Sequence, residues 1–316
     1  WLLITVLLLS LCLATVAGWV MRDLPLARSV VDLTIEPGTP VRGIAQLSVD
    51  SGVEVDPSLL YWFMRLSGQS RLLRAGSYEI KAGDSAWDLL QKISRGQESL
   101  QTLVLVEGWT FRQFRAALDR SEHLQHQTRG QTDEAVMALL GRPGQAPEGR
   151  FFPDTYAHGK GDSDVRILSR AMKAMDRQLA STWQARAERI ELTDPDQALI
   201  LASIVEKETG KASDRRMISS VFHNRLRVGM PLQTDPTVIY GMGEAFDGNL
   251  RRRDLQTDHP WNTYTRKGLP PTPISMPGKA ALLAAVQPER SQAFYFVARG
   301  DGSSAFSKNL DDHNAA

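Results

Sequence analysis

The chain opens on an apolar run. Trp1 to Val20 carries no charge and is dominated by Leu, Val, Ala and Ile, about the length needed to cross roughly 30 Å of hydrocarbon as a helix. The pattern predicts a transmembrane anchor over residues 1–21, with one large domain set on one side of the membrane. A cleaved signal peptide is the rival reading, but its apolar core runs only about 7 to 15 residues and ends in an A-x-A-like site. Ala14-Thr15-Val16-Ala17 does not match that site. Lipidation at Cys12 is a third reading, set against by Leu11 where a small residue is expected.

From Val31 onward a short plan recurs. Leu33 to Thr39, Tyr78 to Ser85 and Leu105 to Thr110 each alternate in a strand-like way, reach a Gly, and continue to Thr or Ser. Apolar residues then recur three or four apart: Ile44 and Leu47; Trp87, Leu90 and Ile93; Phe111, Phe114 and Leu118. These read as strand-turn-helix units in which Gly permits the turn and Thr or Ser caps the helix. Residues 30–125 are therefore expected to form a small membrane-proximal α+β region, with a helix over Pro57 to Leu66. Tyr78 to Leu90 resembles the opening of a LysM module, a glycan-binding fold of cell walls, which would cover about 76–107; a generic βα element without a sugar site is the alternative.

Residues 126–147 are polar and rich in Gly, Pro and Gln, the pattern of a linker. Beyond it a larger mixed α+β domain is expected over 148–316. Within it, Asp164 to Trp183 reads as an amphipathic helix with Ile167, Leu168, Ala171, Met172 and Met175 on one side. A second helix is announced by Asp194 at its cap, Pro195 in its first turn and Gln197 three residues on. Ala198 to Val205 has no polar stripe, so this helix should be buried on most sides, and it runs straight into Glu206.

Composition narrows the reading little. Among 316 residues, 37 Lys and Arg against 36 Asp and Glu leave a formal charge of +1, so no overall field argues for a nucleic-acid partner. The single cysteine, Cys12, rules out a disulfide framework and a cysteine metal site. Six histidines show no metal spacing. His123 and His126 are three apart without further partners and are expected on a solvated face.

Glu206 is the candidate for the chemistry. A carboxyl at the end of a buried apolar helix is partly desolvated, which disfavours its charged form. Such an acid holds a proton near neutrality and can deliver it to a leaving oxygen. The bland alternative is that Glu206-Lys207-Glu208 is the charged, frayed end of a core helix. Glu208, about 200° further round, is expected to face solvent.

Ala202 to Thr209 resembles the signature of the endolytic murein transglycosylase family, the MltG/YceG-like proteins. The likeness continues in Glu148 to Tyr156, Val221 to Gly241, Asn262 to Tyr264, Gly268 to Pro271, Phe294 to Ala298 and Asn309 to Asn314, covering nearly all of residues 20–316. The resemblance implies that Glu206 is the catalytic acid of a lyase without metal or organic cofactor. It implies cleavage of the bond between N-acetylmuramic acid and N-acetylglucosamine in nascent glycan strands, with closure of a 1,6-anhydro ring. It further implies a single-pass inner-membrane protein with its catalytic domain in the periplasm, working beside peptidoglycan synthases as a terminase of glycan elongation.

Gln233, Thr234, Asp235 and Tyr240 offer amide, hydroxyl, carboxylate and phenol groups suited to sugar hydroxyls and acetamides. A turn and helix start at Asp235-Pro236-Thr237, with Tyr240 in the core, is the structural alternative. Asn262 and Tyr264 read equally as groove residues or loop anchors. Two other functions stand beside the lyase: a hydrolytic muramidase with Asp235 as second carboxylate, and a noncatalytic glycan-binding scaffold for synthases.

Overall fold

A computed structural model describes residues 1–209, 211–300 and 303–315. The side chains of Leu2, Leu9, Cys12 and Leu13 lie outside that description, so the lipidation alternative at Cys12 does too. The chain is α+β and divides into two compact units, one of residues 1–102, 123–125 and 157–162, the other of 103–122, 126–156 and 163–316. This boundary differs from the expected one, because residues 103–122 and the expected linker fold with the second unit.

The first unit begins with α1 (Leu2–Val20), on which Leu3, Ile4, Leu7 and Leu11 are exposed. Among the described residues no helix is long and apolar enough to cross a membrane. After it come β1 (Val30–Ile35), α2 (Val41–Ser51), α3 (Pro57–Leu66), β2 (Gly76–Lys81) and α4 (Ala86–Arg95). The expected helix 57–66 is found with those limits, because Asp56 accepts from the N–H groups of Ser58 (2.7 Å) and Leu59 (3.2 Å) and Pro57 opens the first turn. Ser85 and Asp88 form a capping box that starts α4. The first repeat differs: Thr39 donates back to Glu36 O at 2.8 Å, and Pro40 occupies the cap.

β2 pairs antiparallel with β1, from Val30 opposite Lys81 to Ile35 opposite Gly76. The closed strand-helix-helix-strand unit is therefore 30–81 rather than 76–107. Val31, Leu33 and Ile35 alternate inward and meet Ile44, Leu60, Met64, Tyr78, Ile80, Leu90 and Ile93 in one core.

The chain continues through β3 (Leu100–Val104), α5 (Phe111–Arg120), α6 (Asp133–Leu139) and β4 (Thr155–Gly159), with β3 and β4 paired. Thr110 and Gln113 cap α5 reciprocally. α6, inside the expected linker, forms because Thr132 caps it and Val136 and Met137 are buried. In that stretch His126 is half-buried, its Nδ1 lacking a partner among the described residues, rather than solvated.

The second unit is built round α8. Its helices are α7 (Asp164–Gln184), α8 (Pro195–Glu208), α9 (Arg215–Arg227), α10 (Asp235–Met242), α11 (Arg252–Gln256), α12 (Lys279–Val286) and α13 (Leu310–Ala315), with β5 (Tyr295–Ala298) and β6 (Ser304–Ser307) as an antiparallel ribbon. Asp194 accepts from Gln197 N at 2.9 Å and starts α8 where the sequence predicts it. Leu199, Leu201, Ala202, Ile204 and Val205 are buried among Met175, Ile218, Phe222, Leu282 and Ala285 from α7, α9 and α12. Burying each Leu, Ile or Val contributes about 1.5–3 kcal/mol, so the helix that ends in Glu206 is firmly held.

α9 adds the buried polar groups His223, Asn224 and Arg225, which have partners, and Ser219, whose Oγ has none among the described residues. His223 accepts from Glu191 N at 3.1 Å through Nδ1 and reaches Ala285 O at 2.9 Å through Nε2. Asn224 donates to Ala293 O at 2.9 Å, and Arg225 donates to Phe294 O and Leu232 O, both at 2.7 Å. These bonds tie loops to the core.

Candidate active site

Four chain segments of the second unit meet at the end of α8. One turn before Glu206, Ser203 Oγ accepts from Ile274 N at 3.0 Å, and Ser275 Oγ donates to Ser203 O at 3.1 Å. The proline-rich stretch before α12 is thus strapped along α8. A second strap lies beside it: Gly108 N donates to Met276 O at 2.8 Å, and Met276 N to Trp109 O at 2.7 Å. Gly108 turns this strap with a φ of +74°, a conformation open to glycine.

Glu206 sits where the straps converge, its side chain only 6% exposed. Oε2 accepts from the N–H of Gly278, the cap of α12, at 2.9 Å. Oε1 is 3.6 Å from Nη2 of Arg215, at the start of α9. Arg215 Nε is buried without a partner among the described residues. Glu107 faces the same carboxyl from the α5 strap, and Lys207 donates to Gly108 O at 3.4 Å. Burial raises the pKa of Glu206 most; the Gly278 N–H, Arg215 and Lys207 pull it down, and Glu107 pushes it up. The balance is upward, so the proton is held above the ordinary carboxyl range.

Glu208 does not face solvent. Its carboxyl accepts from Thr234 Oγ1, and burial, aided by Asp235, lifts its pKa to about 7 against the hydroxyl bond and Arg225. α8 ends here, and the loop before α10 folds over this side. Gln233, at a φ of +49°, donates its N–H to Thr263 O at 3.0 Å; Thr234 N donates to Thr263 Oγ1 at 3.1 Å. Tyr264 OH donates to Asp235 Oδ1 at 2.5 Å. Thr234, Asp235 and Tyr264 therefore gather round Glu208, with Gln233 in the same loop.

Tyr240 and Asn262 lie elsewhere. Tyr240 OH donates to Glu148 Oε2 at 3.2 Å and packs edge-on to Trp261. Glu148 also accepts from Phe111 N at 3.1 Å, and burial lifts its pKa to about 7. Both line a cavity of about 670 Å³ with Thr110, Phe111, Trp261 and Thr272. Asn262, fully buried, donates to the carbonyls of Leu255 (3.1 Å) and Thr257 (2.7 Å) and accepts from Tyr264 N (2.9 Å). It anchors its loop. Among the described residues no three His, Cys, Asp or Glu side chains converge as a metal site.

Glu107, Glu148, Arg215 and Gly278 were not singled out from the sequence as site residues. Glu107 sits in the third strand-turn-helix repeat and Glu148 opens a quoted motif, but only the fold brings them to α8 and Tyr240.

One desolvated carboxyl, pinned by a backbone N–H and able to lend a proton and take it back, is the arrangement of an acid/base catalyst. The sequence profile of the YceG-like family matches residues 33–316, and the chain belongs to that family. A Bacillus subtilis (strain 168) protein named endolytic murein transglycosylase is 29% identical over 307 residues, covering 92% of this chain and 84% of the relative. A Streptococcus pneumoniae (strain D39) protein of the same name is 27% identical over 321 residues, covering 91% of this chain; this chain spans 58% of that relative's length. A crystal structure of a yceG-like protein from Listeria monocytogenes matches with a TM-score of 0.56 at 29% identity, over 91% of this chain and 98% of that one.

Proposed function

We propose that this chain is an endolytic murein transglycosylase in which Glu206 is both acid and base. The raised, pinned carboxyl of Glu206 at the meeting of the two straps carries the reading. Glu206 protonates the oxygen between N-acetylmuramic acid and N-acetylglucosamine, and the bond from that oxygen to the muramic C1 breaks. The muramic 6-hydroxyl attacks the oxocarbenium-like C1 and passes its proton to the Glu206 carboxylate. The product carries a 1,6-anhydro ring, no water is consumed, and the acid is restored. Ordinary glycosidases generally need a second carboxyl as nucleophile or base; an internal hydroxyl removes that need. Asp235, the second carboxyl of the hydrolytic alternative, is hydrogen-bonded to Tyr264 and grouped with Glu208.

The remaining roles belong to the same proposal. A single inner-membrane span over residues 1–21, with the catalytic unit in the periplasm, rests on the uncharged apolar run Trp1 to Val20 and on the family resemblance, since among the described residues no helix is long and apolar enough to cross a membrane. The LysM-like likeness of 78–90 supports glycan binding by the first unit, and cutting nascent strands beside their synthases supports a terminase role. Digestion of polymeric peptidoglycan by the whole chain, with product masses recorded, tests the reading. Anhydro ends from the native chain, absent with Glu206→Gln, are expected; ends carrying the oxygen of water, or turnover undiminished in Glu206→Gln, overturn it.

A further inference from the structure

Two carboxyl groups meet across one glycine. Gly278 holds Oε2 of Glu206 through its N–H at 2.9 Å, while a Cβ placed on Gly278 would stand 1.9 Å from Oε1 of Glu107 and 2.2 Å from its Cδ. The Glu107 carboxylate therefore lies flush against the Cα of residue 278. The backbone at Gly278, φ −79° and ψ 174°, is one any residue adopts. Close approach, not conformation, is what a side chain would disturb there, by pushing the Glu107 carboxylate aside.

The backbone that carries Glu107 is held in place through its neighbours. Bonds from Gly108 N to Met276 O (2.8 Å), from Met276 N to Trp109 O (2.7 Å) and from Lys207 Nζ to Gly108 O (3.4 Å) fix the strap. The residue is exposed, and its carboxylate has no ion pair among the described residues. An anion is thus kept unneutralised beside the carboxyl that must stay protonated.

We propose that Glu107 is a positioning residue of this site, an unpaired anion pressed against Gly278 that opposes ionisation of Glu206 and keeps the proton on it until the leaving oxygen takes it. The proposal rests on Glu206 being the acid. The charged groups facing Glu206 are Glu107 from the α5 strap, Arg215 from α9 and Lys207 from α8 itself, with the Gly278 N–H from α12. Glu107 and Arg215 pull in opposite directions, so their removal has opposite signs.

The test is direct titration of Glu206 in the whole chain, in detergent micelles, by NMR of glutamate labelled with ¹³C at the carboxyl, with Glu206→Gln assigning the signal. Glu107→Gln is expected to lower the midpoint, changing the ionisation constant about three- to tenfold; Arg215→Gln is expected to raise it. Glu107→Asp, which keeps the charge, should restore most of the native midpoint. Gly278→Ala, which displaces the Glu107 carboxylate without deleting it, should move the midpoint the way Glu107→Gln does and serves if that variant does not fold. The alkaline limb of kcat/KM should follow the titration. A midpoint in Glu107→Gln equal to or above the native one overturns the proposal. Because the titration needs no turnover, it decides the role of Glu107 even where the native chain makes no anhydro ends, a result that would count against the proposed function instead.

Discussion

The N–H of Gly278 donates to Oε2 of Glu206 at 2.9 Å, placing the carboxyl at the N-terminus of α12. A helix N-terminus favours a negative charge, yet burial is the largest influence on Glu206 and acts the other way. The acid form therefore persists above the usual range. kcat/KM is expected to fall as pH rises through the raised Glu206 value, with the midpoint above the ordinary 4.5. A pH–rate profile on polymeric glycan checks this, and a limb at or below 4.5 would sink the assignment.

Gly278→Ala should cost little stability yet disturb the site. The new Cβ would meet the Glu107 carboxyl at 1.9 Å, so either that side chain or the strap must move. Overpacking of this kind costs about 1–3 kcal/mol when nothing can give; Glu107 is exposed and can swing away, so the lower end is expected in urea denaturation. Activity should fall further than stability.

Glu148 and Glu208 should make stability depend on pH. Burial raises both from 4.5 to about 7. A carboxyl whose folded pKa lies above its unfolded one stabilises fully below the unfolded value, and that contribution is lost as pH rises through the folded one. Stability should therefore rise on acidification from pH 8 to pH 5, by up to about 3 kcal/mol per group. Urea midpoints across that range test it; Glu208→Gln and Glu148→Gln should each flatten the slope.

Asn262→Asp should destabilise more than its single-atom change suggests. Asn262 Nδ2 donates to the carbonyls of Leu255 and Thr257, and a carboxylate would face both with no hydrogen to offer. A loss of about 2–4 kcal/mol is expected, read by thermal unfolding. An unchanged Tm would remove Asn262 as the anchor of this loop.

The helices that could be read from the sequence are those whose start signals are local. Asp56-Pro57, Ser163-Asp164 and Asp194-Pro195 each cap their own helix with an adjacent side chain, and Glu206 was legible because an unbroken apolar run leads into it. What was not legible depends on partners far along the chain. β2 joins β1 across the forty residues 36–75, so their pairing could not be read from the local pattern at 78–90. Periodicity pointed Glu208 to solvent, but a loop from beyond α9 covers it through Thr234. Glu107 carries no local mark, since its importance comes from a missing Cβ at residue 278.

That α5 and its preceding strap fold with the second unit, rather than with the region their sequence pattern suggests, bears on how the protein can be cut. A fragment excised at residue 148 would retain the acid and the glycine that pins it. It would lack Glu107, the Trp109 carbonyl that anchors Met276, and the Phe111 ring stacked 5.0 Å from Phe151. A piece that keeps these contacts must begin before Glu107, so protease trimming from the N-terminal side should disturb the site well before it reaches Glu206.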